Sequence, residues 1–282
     1  MNRSDPQVAV IILNYNTPEL THTLIESIEK QASDFACQII VIDNNSRDGF
    51  KYRPRTGAPR QRVIHLNHNL GFARAANFAS TLTDAPYLLF ANSDCRLTAN
   101  IVSVMHQYLE SNRACAACAP RLLFPDGSPH SSIRRFPDYR NISRSRGSLL
   151  PAREGYTIAA DTVRKPVEAV SATFLMVRHD LFDRAGRFEP SYFMYVEDTD
   201  LCRKFADAGK QIVYLGDLEV THHWGESCRR QPLRLKLEHH RSIRNYFYRH
   251  VPNRRLANLS LSLQLAVNLV LVGFRMVVLR RK

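Results

Sequence analysis

The chain has 282 residues, 44% hydrophobic and 23% charged, enough for a sizeable core and unlike the composition of a disordered chain. Its net charge of +13 is unevenly placed: 13 of the 39 Lys and Arg and only one of the 26 acids lie between 229 and 282, leaving the preceding 228 residues at +1. A nucleic-acid-binding body is thereby excluded, because it would interleave basic and aromatic residues across a folded surface, whereas here the charge sits beside an apolar run.

Residues 8–13 form a continuous apolar run, the pattern of a parallel strand covered on both faces. Thr17-Pro18 then opens a helix on which Leu20, Leu24 and Ile28 recur every fourth residue. Further strands are expected at 37–42, 63–66, 87–91 and 115–119, with helices from Gly71 to about 83 and near 99–111. This alternation predicts an α/β fold with an open, mostly parallel sheet and helices on both faces. Residues 120–166 are rich in Ser, Arg and Pro and read as a mobile segment over the site, in which Arg134, Arg135 and Arg144 are candidates to meet phosphate. A strand at 167–177 and a short helix at 180–185 follow.

No signal peptide precedes the first strand, so the six cysteines are expected to be reduced in a cytosolic setting. Cys115 and Cys118 have no second ligand pair at zinc spacing and read as a buried strand end.

Ligands of such sheets sit outside the carboxyl ends of the strands. Polar clusters fall at four of those ends: Asn14 and Asn16; Asp43 and Asn44; Asn69 and Gly71; and Asn92, Ser93 and Asp94. One such cluster is a turn, whereas four on one rim describe a binding site. Residues 69–77 match neither a P-loop nor a dinucleotide fingerprint. Gly71 instead permits close backbone approach at a helix start, with Arg74 and Asn77 one turn further in, an arrangement suited to a phosphate or sugar hydroxyl. Asp94 offers an oxygen ligand for Mg2+ or Mn2+ beside a diphosphate, and His222 or His223 could complete that site. In the stretch 193–203 the carboxylates of Glu197, Asp198 and Asp200 precede a helix capped by Asp198 or Thr199. That helix would bury Leu201, Phe205 and Ala208 and stop at Gly209.

On these segments, taken in order from 8 to 227, the sequence resembles the family-2 glycosyltransferases of the GT-A fold, and their rhamnosyltransferase-like branch most. The segments are 10–16, 41–46, 69–77, 92–94, 193–203 and 222–227. The resemblance implies a Rossmann-like nucleotide-sugar-binding and catalytic domain over 1–228. Asp43 would accept the imide N–H of the base, beside Asn14 and Asn16. Asp94 would hold the metal, with Asn92 in the first place of the D-x-D motif, and His222 would be the late ligand, with His223 behind it. Asp198 would be the catalytic base and Glu197 the group that orients the acceptor. An inverting, non-processive transfer of one sugar is implied, from a UDP- or dTDP-linked donor to a lipid-linked saccharide. Two departures stand out: Ser171-Ala172-Thr173 replaces a Gly-containing turn, and Q-x-x-R-W is missing, which argues against a processive synthase. A catalytically dead sugar-nucleotide-binding module would normally lack Asp94 or Asp198, and a nucleotidyltransferase would carry a Gly-rich, Lys-bearing loop after the first strand. Neither holds here.

The tail, 229–282, contains a charge-free run at 256–274. Ser260, Gln264, Asn268 and Arg275 share one helical stripe, so an amphipathic helix lying on an anionic membrane is expected ahead of a true span. The expected location is the cytoplasmic face of the inner membrane, with no nucleic-acid partner.

Overall fold

The computed structural model describes residues 5–30, 36–47, 49–51, 60–139, 164–223, 232–251 and 253–279. Arg144, Cys228 and the segment from Trp224 to Ser227 lie outside them. In chain order the elements are β1 (Val8–Asn14), α1 (Pro18–Glu29), β2 (Cys37–Asp43), β3 (Arg60–His65), α2 (Gly71–Ser80), β4 (Tyr87–Asn92), β5 (Cys95–Leu97), α3 (Ile101–Ser111) and β6 (Cys115–Leu123). There follow β7 (Pro129–His130), β8 (Ile133–Arg134), β9 (Arg164–Val167), β10 (Ala169–Val170), β11 (Phe174–Arg178) and α4 (His179–Arg184). The chain closes with α5 (Glu197–Asp207), β12 (Gln211–His222), α6 (Pro232–His250) and α7 (Arg255–Leu279).

The main sheet runs β3-β2-β1-β4-β11-β6-β12-β5. Strands β1 to β4 are mutually parallel, β11 is antiparallel to both β4 and β6, and β6 is parallel to β12. Alternate residues of β1 serve two cores: Val8, Val10 and Ile12 pack with Leu24, Ile25 and Ile28 of α1, while Ala9 and Ile11 pack with the alanines of α2 and with Leu201 and Phe205 of α5. Both faces are covered, which is why these strands read as unbroken apolar runs. Cys37, Cys95, Cys115, Cys118 and Cys202 are all buried free thiols.

Three expectations are corrected. The strand foreseen at 167–177 is three short ones, because Glu168 accepts the N–H of Phe136 at 2.6 Å and the 171–173 turn breaks the run before β11. Helix α5 is not capped by Asp198 or Thr199: it starts at Glu197, entered through Tyr195 and Val196 at φ 70° and 69°, with no side-chain cap. Leu201 and Phe205 are buried as foreseen, but Ala208 is exposed.

The tail is packed into the body. Tyr192 and Val196 of the acidic loop share a core with Ile243, Tyr246 and Phe247 of α6 and Leu261 and Leu265 of α7. On α7 the inward face is Asn258, Leu261, Leu265 and Asn268, whose Oδ1 lies 3.1 Å from His240 Nε2. Asn268 therefore does not belong to an outward polar stripe with Ser260 and Gln264. Ser260 and Gln264 do face outward, but they share that face with Leu256, Leu259, Leu263, Val267 and Val270, which are 51–85% exposed. No helix among the described residues is long and apolar enough to cross a membrane.

Candidate active site

The strand registers align the polar clusters. Asn14 pairs with Asp43, Asp43 with His65, and Leu13 with Asn92, so the ends of β3, β2, β1 and β4 form one rim. Most of the amides there bond within the chain. Asn14 is fully buried, donates through Nδ2 to Asp43 Oδ1 (2.9 Å) and Ser46 Oγ (3.1 Å), and accepts from the Thr17 and Thr21 hydroxyls. All four of its hydrogen-bonding positions are thus engaged. Asn16 sits at φ 56° and accepts the N–H of Arg47 (2.8 Å), while Asn44 donates to the Gly71 carbonyl and accepts the N–H of Leu70. Ser93 is hydrogen-bonded to Thr17, the Oγ atoms 2.8 Å apart. Asp43 is buried, yet its Oδ2 lies 3.1 Å from Nδ1 of the half-exposed His65, beside the rim opening.

The loop before α2 has a similar character. Asn69 Oδ1 accepts the N–H of Gly71 at 2.8 Å. The close approach at Gly71 is made by the chain itself: at φ 77°, a Cβ there would lie 2.2 Å from the Phe193 carbonyl oxygen, which already accepts the N–H of Phe72. Arg74 donates to the Pro190 carbonyl (2.9 Å), and Asn77 both donates to and accepts from the Phe188 backbone. These groups clamp α2 to the loop leading into the acidic stretch.

Strand β5 pairs antiparallel with β12, placing Cys95 opposite His222, and the Asp94 carbonyl accepts the N–H of His223. The Asp94 carboxylate therefore faces His222, with Oδ1 3.1 Å from Nε2, both side chains at most 8% exposed. Among the described residues no cluster of three metal-ligating side chains occurs. Two protein ligands still suit Mg2+ or Mn2+, which keep substrate phosphates and water in their other positions. Ligands in adjacent octahedral positions about 2.1 Å from one ion stand about 3 Å apart, close to the observed spacing. The His222 Nδ1 is buried without a partner among the described residues, and the His130 ring packs on His222 at 5.1 Å. Burial, then the neighbouring His222 and Arg134 charges, push His130 down to about 4, so it is neutral at pH 7.

Asp198 lies across the same rim. Its Oδ2 accepts the N–H of Ala172 at 3.2 Å, and the next residue, Thr173, accepts the N–H of Asn92 at 2.8 Å. The other oxygen, Oδ1, accepts the backbone and hydroxyl of Thr199. Arg134 of β8 reaches the carboxylate through Nη1 at 3.1 Å. The sequence marked Arg134 only as a phosphate candidate; its partner is 64 residues away, and no local pattern carries that pairing. Glu197 is 5% exposed, and its Oε2 has no partner among the described residues. Burial, reinforced by the Asp198 charge, raises it to about 8, so it is protonated at neutral pH. The third carboxylate, Asp200, turns away from the rim to His250 Nε2 (2.8 Å), Lys204 Nζ (2.9 Å) and the Tyr192 hydroxyl.

A mostly parallel mixed sheet covered by helices, with polar side chains gathered at its strand ends, is the GT-A fold. The profile of glycosyl transferase family 2 matches residues 9–185, and the chain belongs to that family: it is a glycosyltransferase. It is 28% identical over 229 residues to the N-acetylglucosaminyl-diphospho-decaprenol L-rhamnosyltransferase of Mycobacterium tuberculosis, covering 75% of this chain and 74% of that one. It is 29% identical to the rhamnosyltransferase WbbL of Escherichia coli, covering 77% and 83%. Among solved structures it resembles a mannosyltransferase from Pyrobaculum calidifontis in complex with GDP-Man and Mn2+, with TM-score 0.58, 15% identity, and 95% and 75% of the two chains covered. It also resembles GalNAc-T7 with UDP, GalNAc and Mn2+, with TM-score 0.59 and 13% identity, covering 77% of this chain and 43% of that one. These two likenesses bear on the fold.

Proposed function

We propose that the chain transfers one sugar from a nucleoside-diphosphate donor, dTDP-rhamnose or a UDP-sugar, to a hydroxyl of a lipid-linked saccharide, with inversion, in bacterial surface-polysaccharide synthesis. The observation that carries this reading is the Ala172–Thr173 step, which bonds Asp198 on one side and Asn92 on the other, two residues before Asp94. The printed names of the bacterial relatives support the sugar and the lipid-linked acceptor.

In this reading Asp198 takes the proton of an acceptor hydroxyl as its oxygen bonds to the anomeric carbon. The bond from that carbon to the diphosphate oxygen breaks, and the nucleoside diphosphate leaves with the electron pair. Asp43 receives the base, with Asn14 holding its carboxylate in place, while Asn92 and Asp94 line the diphosphate. Protonated Glu197, its Oε2 unpartnered, donates a hydrogen bond to the acceptor. Asp94 and His222 would hold Mg2+ or Mn2+, which when bound offsets charge on the departing diphosphate. Asn16, Asn44, Asn69, Gly71, Arg74, Asn77 and Ser93 act by building the rim that presents these groups.

The exposed stripe on α7 lies on an anionic membrane at the cytoplasmic face, with Arg254 and Arg255 beside it. The decisive experiment is a thermal-shift panel of UDP-, dTDP- and GDP-sugars with Mn2+, followed by transfer assays on lipid-linked acceptors. Asp198→Asn is expected to lower turnover by about 10²–10⁴-fold with donor binding kept. Activity within a few-fold of wild type would remove Asp198 from the chemistry.

A further inference from the structure

The tail helix does more than carry α7, because its inward face packs on the loop that leads into Glu197 and Asp198. His239 of α6 is 7% exposed, lies with its ring 5.5 Å from that of Tyr195, and has a buried Nδ1 with no partner among the described residues. Lys236 lies one turn earlier on the same face. It is only partly exposed, and among the described residues no carboxylate pairs with it. Arg134 belongs to the same neighbourhood: it touches Asp198 through Nη1, and its charge bears on His239. The charges of Arg134 and Lys236 both bear on His239, and burial with those charges pushes it down to about 3, so at neutral pH it is an uncharged ring facing two cations. Arg134 shares its charge with Asp198, but Lys236 has no carboxylate partner and His239 an orphaned buried nitrogen among the described residues, and together they make a place for an anion. The next residue, His240, carries α7 through Asn268, so this place and the apolar stripe belong to one helical unit.

We propose that Arg134, Lys236 and His239 form a subsite for the diphosphate joining the acceptor sugar to its lipid. The proposal rests on the lipid-linked-acceptor reading and deepens it: the sugar hydroxyl lies at Asp198, the phosphates at α6, and the lipid leaves along α7. The donor diphosphate, by contrast, belongs at Asp94.

The test is calorimetric titration of the full chain with geranyl diphosphate in the presence of Mg2+ and saturating dTDP or UDP, with geraniol as the phosphate-free arm. Wild type should bind geranyl diphosphate and not geraniol. Lys236→Gln and His239→Gln should each weaken that binding about tenfold, as expected for loss of a charge-assisted or buried hydrogen bond, with nucleotide binding unchanged. Asp94→Asn should do the reverse. Binding unaffected by Lys236→Gln, no binding to wild type, or binding lost in parallel with the nucleotide in Asp94→Asn overturns the subsite. Lys236 is partly exposed, so its variant decides the matter even where His239→Gln fails to fold. If wild type binds no nucleotide while geranyl diphosphate still responds to Lys236, the transferase reading fails and the anion subsite stands.

Discussion

Glu197 and Asp198 are adjacent in sequence yet face different surroundings. Asp198 has two backbone N–H donors and Arg134, while the Oε2 of Glu197 has none. Because folding raises the Glu197 pKa to about 8, the folded chain holds a proton that the unfolded chain releases in the ordinary carboxylate range. Stability contributed at this position therefore falls as pH rises from that range to about 8. Glu197→Gln should flatten this slope and raise the melting temperature most near pH 8. An unchanged pH profile of melting would show that Glu197 is ionised in the fold. Gly71 makes a different residue-scale case. Its left-handed φ and the 2.2 Å approach of the Phe193 carbonyl leave no room for a methyl group. Gly71→Ala should cost about 3 kcal/mol or more, readable by urea melting, because α2 and the acidic loop must separate.

At the scale of elements, the junction between the acidic loop and α5 is strained and held by the tail. Tyr195 and Val196 both lie at positive φ, and a β-branched residue there is a true outlier costing on the order of 1–3 kcal/mol. Val196 is kept there by its burial with Ile243, Tyr246 and Phe247, and the Met194 carbonyl is tied down by the Ser242 hydroxyl at 3.0 Å. The Asp200 carboxylate fastens the two elements together: burial opposes its charge, but bonds from His250 and Lys204 outweigh that and hold its pKa below the usual range. That contribution is present above the ordinary carboxylate range and is lost as pH falls through the depressed folded value. His250→Ala should destabilise by about 2 kcal/mol, less than a fully severed buried pair because Lys204 remains. A loss under half a kcal/mol by denaturant melting would mean that α6 docks without this pair.

For the whole molecule, α6 and α7 link the exposed apolar side chains of α7 to the acidic loop. Leu259→Ser with Leu263→Ser, both over 60% exposed, should weaken co-sedimentation with anionic vesicles several-fold and leave melting nearly unchanged. Undiminished vesicle binding would put the membrane contact elsewhere. Truncation before α6 should instead broaden or abolish cooperative melting, since it uncovers Tyr192 and Val196.

Strand and helix order, two covered sheet faces and polar residues at the strand ends were legible in the sequence, because apolar runs, helical spacing and turn residues are local signals. So were the adjacent carboxylates at the start of α5 and the apolar character of the tail. How the amides knit the rim together depended on register: Asp43, Ser46, Thr17 and Thr21 all bond to Asn14. Likewise only the folded chain sets Arg134 on Asp198, His250 on Asp200 and His239 beside Tyr195. Those pairings join residues far apart in the chain, and long-range packing, not any local propensity, selects the partner.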